Sequence, residues 1–210
     1  MLPNSSNNQE LRKAVSRITK RYGPLPEREH LTDRERLSKV HLQVPEIERL
    51  RRSYRHSISL VRQVVPDDVE TWKYCCYEYT FDLIDPHRQD IRDWIGKRVS
   101  VDSTFARYLV QNHLLEQDSS KPGCVIVYYS GVEQIEHVGK VIEEGLVESK
   151  WGCQGHLWKH GRYEVPESYG GNVRYFSSIA AEESSRAFAA YVSLQQKRPG
   201  IPITQHRSRR

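Results

Sequence analysis

The sequence predicts an α+β fold in which a cysteine-bearing helix packs on an antiparallel sheet. Three observations predict it. An apolar stripe at helical spacing begins at Ile47. An aromatic stretch with helix-compatible spacing then carries Cys75 and Cys76. From Lys121 to Tyr175, short β-branched runs alternate with glycine turns, the punctuation of β-hairpins.

In chain order, residues 1–10 are polar and read as unstructured. Residues 11–22 form a short basic helix, stopped by Gly23-Pro24. Thr32-Asp33-Arg34-Glu35 has capping-box form and starts a helix reaching about Leu42. Pro45 opens an amphipathic helix with Ile47, Leu50, Tyr54, Ile58, Val61 and Val65 on one stripe. Pro66-Asp67-Asp68 marks a domain boundary. Residues 71–84 continue as a helix with Trp72, Cys76, Tyr79 and Leu83 on one face, ended by Pro86. Residues 91–95 make a short helical turn, and Asp102-Ser103 caps a helix over 104–115. Strands follow at 124–129, 135–142, 146–151 and 173–176, and residues 180–196 form a last amphipathic helix. The chain thus divides into a basic helical segment (1–66), an α+β domain (67–196) and a basic frayed tail (197–210).

Charge is uneven along the 210 residues. Residues 1–62 hold 14 Lys/Arg against 7 Asp/Glu, and the remainder 18 against 20, so the formal +5 belongs to the N-terminal segment. That segment can dock an acidic partner, or its arginines (Arg49, Arg51, Arg52, Arg55) can simply face solvent as helix-surface arginines do. The near-neutral remainder disfavours nucleic acid as the partner. Mean hydropathy is −0.72 and no apolar run approaches the ~18 residues a membrane helix needs. The N-terminus lacks the apolar core of a signal peptide. The expectation is a soluble protein that meets no membrane, cytoplasmic or exported by a route without such a signal.

Cys75, Cys76, Cys124 and Cys153 are not spaced as a disulfide scaffold. Cys76 lies near the start of a predicted helix, where a thiolate is favoured, and His137 lies on a strand with stiff neighbours to hold it. Such a base needs a third polar group to orient it. Gly139, two residues beyond His137 on the same face, leaves room for something to approach the backbone.

These residues carry a resemblance. Cys76-Tyr77-Glu78-Tyr79-Thr80-Phe81 resembles the opening helix of NlpC-like and CHAP-like papain-fold hydrolases. Glu136-His137-Val138-Gly139-Lys140-Val141 with Gly145 resembles their His-Val-Gly hairpin. Ser149-Lys150-Trp151-Gly152, His160 and Val165-Pro166 through Tyr169-Gly170 are similar to a bacterial branch of that superfamily. The resemblance covers about residues 72–176. It implies a papain-like core and a cysteine-dependent amidase, peptidase or acyl transferase acting on a peptide or protein amide. Cys76 would be the nucleophile, with Cys75 as the other choice, and His137 the base. Ser149 falls where the family often carries His, Asn, Asp or Gln; it or His160 would orient His137. The alternative is a catalytically degenerate papain-like binding module. Cys153, His156 and His160 can also be read as zinc ligands with Cys75 or Cys76 as a fourth, but a loop covering the sheet explains them better, and neither metal nor cofactor is expected.

Overall fold

The computed structural model describes residues 5–23, 32–64, 74–84 and 99–196. Helices α1 (Ser5–Tyr22), α2 (Asp33–His41) and α3 (Gln43–Leu50) precede strand β1 (Ser59–Arg62). Helices α4 (Cys76–Thr80) and α5 (Ser103–Gln111) follow, then β2 (Val125–Ser130), β3 (Gln134–Glu143), β4 (Leu146–Lys150) and β5 (Leu157–Gly161). A 3-10 turn (Glu167–Tyr169) leads to β6 (Asn172–Phe176) and α6 (Ala181–Gln196). Among the described residues the strands form one six-stranded antiparallel sheet in the order β1-β5-β4-β3-β2-β6. The α+β class is as the sequence predicts.

Strand alternation sorts the side chains into cores on the two faces. From β2, Val125, Val127 and Tyr129 join Val138 of β3 in a core with Cys76, Phe81, Phe105, Phe188 and Val192 of the helical side. Phe105 meets Phe81 and Phe188 edge-on, at ring-centroid distances of 5.9 and 5.2 Å. The alternate residues Ile126 and Tyr128 pack with Val141, Val147 and Val165. Beyond β4, Trp151 and Trp158 pack with Leu11, Val15, Ile47 and Ile58 of the N-terminal segment. A bulge moves the β2–β3 register, so that Tyr128 faces His137 while Tyr129 faces Ile135.

Three helices are shorter than expected, and the simplest case is the helix expected over 104–115, which ends at Gln111. The helix opened at Pro45 ends at Leu50 rather than running to Val65. Arg51 Nη2 donates to the carbonyl of Ile58 across the turn, and the chain continues as β1 against β5. Ile58 and Val61 fit both a helical stripe and a strand, and the open edge of β5 selects the strand. The cysteine-bearing helix spans Cys76–Thr80 and stops in a Schellman motif. There Asp82 adopts φ +53°, Leu83 N–H donates to the Glu78 carbonyl and Asp82 N–H to that of Tyr79. At the N-terminus, residues 5–10 are helical rather than unstructured. The turn expected at 91–95, the break at Pro66 and the tail 197–210 lie outside the described residues.

The N-terminal segment is fastened to the sheet by polar contacts as well. Ser16 Oγ accepts from Glu167 N–H at 2.5 Å, and Arg12 donates to the Gly170 carbonyl. Gly170 has φ +89°, and a Cβ there would lie 2.3 Å from the Tyr129 carbonyl oxygen, so only glycine fits. Buried His156 accepts the Val64 N–H at Nδ1 (3.1 Å), leaving Nε2 to donate to the Val40 carbonyl (3.2 Å). His41 stacks on it at 5.4 Å.

That bonding requires a neutral imidazole, and burial, reinforced by His41, pushes His156 down to about 4. Burial likewise takes His137 to about 3 and His160 to about 4. The unfolded chain binds protons at these sites below about pH 6.5, the folded chain only near pH 4 and below. Their stabilisation is complete above about pH 6.5 and is lost as pH falls toward 4, at about 2–3 kcal/mol per histidine by pH 4.5. Urea unfolding from pH 7 to 4.5 should show this decline, with a slope shallower by about one proton in His156→Gln. An unchanged slope in that variant would contradict the neutral buried assignment.

Candidate functional site

The structure brings His137, Ser149 and His160 together. They lie on the adjacent strands β3, β4 and β5, all with side chains on one face, and all three are buried. Ser149 Oγ stands 2.9 Å from His137 Nε2 and 2.8 Å from His160 Nε2. His160 Nδ1 is 2.9 Å from the carbonyl oxygen of Gly161. Gly139 gives β4 room to close on β3 here: a Cβ at Gly139 would lie 2.7 Å from Val147 Cγ1 and 3.0 Å from Ser149 Cβ. What approaches the glycine is the neighbouring strand.

The proton positions follow from donor and acceptor counting. A carbonyl only accepts, so His160 carries its proton on Nδ1. With His160 neutral, its Nε2 must accept, and Ser149 donates its hydroxyl hydrogen there. Ser149 therefore accepts from His137, whose proton sits on Nε2. The Nδ1 of His137 is left bare, and it has no hydrogen-bond partner among the described residues. The ring is held by stacking on Tyr169 (centroids 3.9 Å, 17°) and by Tyr128 at 5.6 Å.

Cys76 is the first residue of α4 and is buried. The carboxylate of Glu78 accepts the Cys75 N–H at 2.6 Å and so fixes the helix start. Burial raises the Glu78 carboxyl, against the Cys75 amide and Lys150, which lower it. The Cys75 thiol donates to the Val101 carbonyl at 3.2 Å. A hydrogen bond with Cys153 lowers the Cys75 thiol, but its bond to Cys76, burial, and charge at Cys76 and Glu78 outweigh that and hold it well above the ordinary range. Of the two adjacent thiols, Cys75 is thus committed as a donor.

Two contributors escaped the sequence reading. Lys150 is wholly buried; its Nζ donates to the carbonyls of Cys153 and Gly155 at 2.8 Å each and stands 4.5 Å over the Tyr74 ring. Burial pushes its amine down to about 8, while Cys153, Cys75, Glu78 and Cys76 act to raise it. Tyr169, stacked on His137, is also an electrostatic neighbour of Cys76 and Cys153.

His137 and Cys76 are not joined directly. Among the described residues no hydrogen bond links thiol and imidazole, and Cys76 packs with Val138, which leaves β3 on the face opposite His137. Ser149 and His160, alternatives in the sequence, act in series. The nitrogens of His156 and His160 are engaged as described, and no metal-ligating group of three converges among the described residues.

Replacing Ser149 with alanine strands two buried imidazole nitrogens. The expected cost is about 1–3 kcal/mol, read as a lower urea midpoint at pH 7. A loss below about 0.5 kcal/mol would show that Ser149 does not satisfy them. A scan against protein-family models, a search of curated proteins and a search of solved structures each found no match to this chain.

Proposed function

We propose that the protein is a cysteine-dependent enzyme of papain-like type that hydrolyses or transfers the acyl group of an amide. The observation that carries this reading is the relay from Gly161 through His160 and Ser149, which leaves the Nδ1 of His137 as an unprotonated base. Cys76 is the candidate thiol: it opens a helix that packs against β3, the strand that carries His137. Cys75 and Cys153 are both pushed up as acids, which disfavours them as nucleophiles.

This mechanism requires Cys76 and His137, which lie on opposite faces of β3 at rest, to meet. It also requires a proton to sit on an imidazole that burial holds down to about 3. His137 Nδ1 then takes the Cys76 proton as sulfur attacks the substrate carbonyl carbon. The tetrahedral oxyanion is met by backbone amides at the start of α4. The amide of Cys75 is occupied by Glu78, so the free donor is the Cys76 N–H, which has no intrahelical acceptor at that position. Protonated His137 returns its proton to the leaving amine, giving a thioester on Cys76. Water or an acceptor amine then releases the acyl group. Ser149 holds the imidazole but, unlike a carboxylate, does little to stabilise the imidazolium.

The missing thiol–imidazole bond favours a second reading, a papain-like binding module without turnover. Its basic N-terminal segment would then meet an acidic partner. Iodoacetamide labelling of native protein, read at each cysteine across pH 6–9, separates the two. The enzyme reading predicts fast labelling of Cys76, slowed at least about tenfold in His137→Ala. It also predicts that Cys76→Ala keeps its fold and loses all turnover of peptide amides. Protection of Cys76 until unfolding, or indifference to His137, selects the binding module.

A further inference from the structure

We propose that the turn joining α3 to β1 is a binding site for phosphate, taken either as the free ion or as the monoester group of a small molecule. The inference stands independently of the proposed catalysis.

In the sequence, Arg51, Arg52 and Arg55 read as the polar surface of a long helix, pointing around its axis into solvent. The helix instead ends at Leu50, and the three arginines fall on the turn that follows. That turn closes round a cavity of about 330 Å³ lined by residues 51–56. Small-ligand sites run from about 300 to 1,000 Å³, so the space suits a small molecule better than a stretch of chain. Three arginines and no carboxylate line it. Single exposed arginines are ordinary surface, and it is their gathering at one cavity that sets these apart.

The turn is built before any ligand arrives. The amides of Arg51 and Arg52 donate to the carbonyls of Glu48 and Arg49, and those of Ser53 and Tyr54 both donate to Leu50. These bonds occupy the carbonyls that end α3, whose partial negative charge would otherwise oppose an anion. Tyr54 packs on the core of Trp151 and Trp158, and Arg51 Nη2 donates to the Ile58 carbonyl at 3.1 Å. The carboxylate of Glu164 accepts the amides of Ser57 and Gly161, so it is committed to the backbone rather than to an arginine.

The charge of the cavity is unanswered. Arg49 pairs with Glu46 at 2.7 Å, but among the described residues neither Arg52 nor Arg55 has a carboxylate partner. Burial lowers the His56 imidazole, which is therefore neutral at pH 7.5 and leaves the guanidinium charges to set the potential. A dianion answers several guanidinium charges better than a monoanion does, and the planar guanidinium fork matches phosphate oxygens in pairs. Ser53 adds a hydroxyl to the same lining.

The test is a proton–nitrogen NMR titration of the full-length protein at pH 7.5 with sodium phosphate, the ionic strength held constant with sodium chloride. The expected result is saturable shifts confined to the amides around residues 51–57, with a dissociation constant of about 5 mM or tighter. Arg52→Ala/Arg55→Ala, which changes two exposed side chains, should weaken that binding at least about tenfold and leave the rest of the spectrum in place. Phenyl phosphate is the second probe: tighter binding than phosphate identifies a monoester ligand, equal binding the free ion, and either supports the site. Shifts that never saturate, shifts matched by chloride alone, or unchanged affinity in the double variant would overturn it. So would a short hydroxyl-ended oligothymidylate, which offers only diesters, if it bound these residues more tightly than phosphate. The wild-type titration decides the matter even if the variant misfolds.

Discussion

The carbonyl of Gly161 accepting a proton from His160 is a small interaction with long consequences. It sets the tautomer of His160, which sets the direction of the Ser149 hydroxyl, which in turn sets the tautomer of His137. All of these groups are buried, where an unpaired polar atom costs several times what a bond contributes. The relay therefore constrains its surroundings. Strands β3, β4 and β5 must keep their register, since a slip of one residue would send each side chain to the other face. Gly139 must lack a side chain so that β4 can close on β3. The N-terminal helices must cover the tryptophan side of the sheet, or the relay would be opened to water.

The sheet places base and thiol in different environments. His137 belongs to the polar seam beneath the N-terminal segment, and Cys76 to the aromatic core on the helical face. On the helical side the loop after β4 fixes the buried amine of Lys150 through the Cys153 and Gly155 carbonyls, and Glu78 fixes the start of α4 through the Cys75 amide. The chemistry of the protein is thus divided between two faces, the uncommitted imidazole nitrogen on one and the Cys76 thiol and Lys150 on the other. The docked N-terminal segment bears on the imidazole, because Arg12 and Ser16 grip the turn that carries Tyr169, which stacks on His137.

Much of the fold is legible in the sequence because glycine turns bracket β-branched runs. Strands β2, β3, β4 and β6 announce themselves this way. Strand β5 does not: Leu157-Trp158-Lys159-His160 has no β-branched residue and sits among glycines, so it reads as a loop. Its pairing with β1 is set by tertiary contact, which no local pattern encodes. Cys76, His137, Ser149 and His160 could be singled out by type and spacing, but their serial arrangement depends on β5 being a strand. Lys150 was invisible for a simpler reason. A lysine is by default a surface residue, and this one is buried only because two loop carbonyls turn inward to receive it.

The central claim is that His137 keeps its proton on Nε2 and presents a bare Nδ1. Long-range proton–nitrogen NMR of the folded protein at pH 7, with His137 assigned through a His137→Gln variant, reads this directly. The account predicts a neutral ring with a protonated Nε2 and an unprotonated Nδ1. A neutral ring protonated at Nδ1 would reverse the Ser149 bond and contradict it.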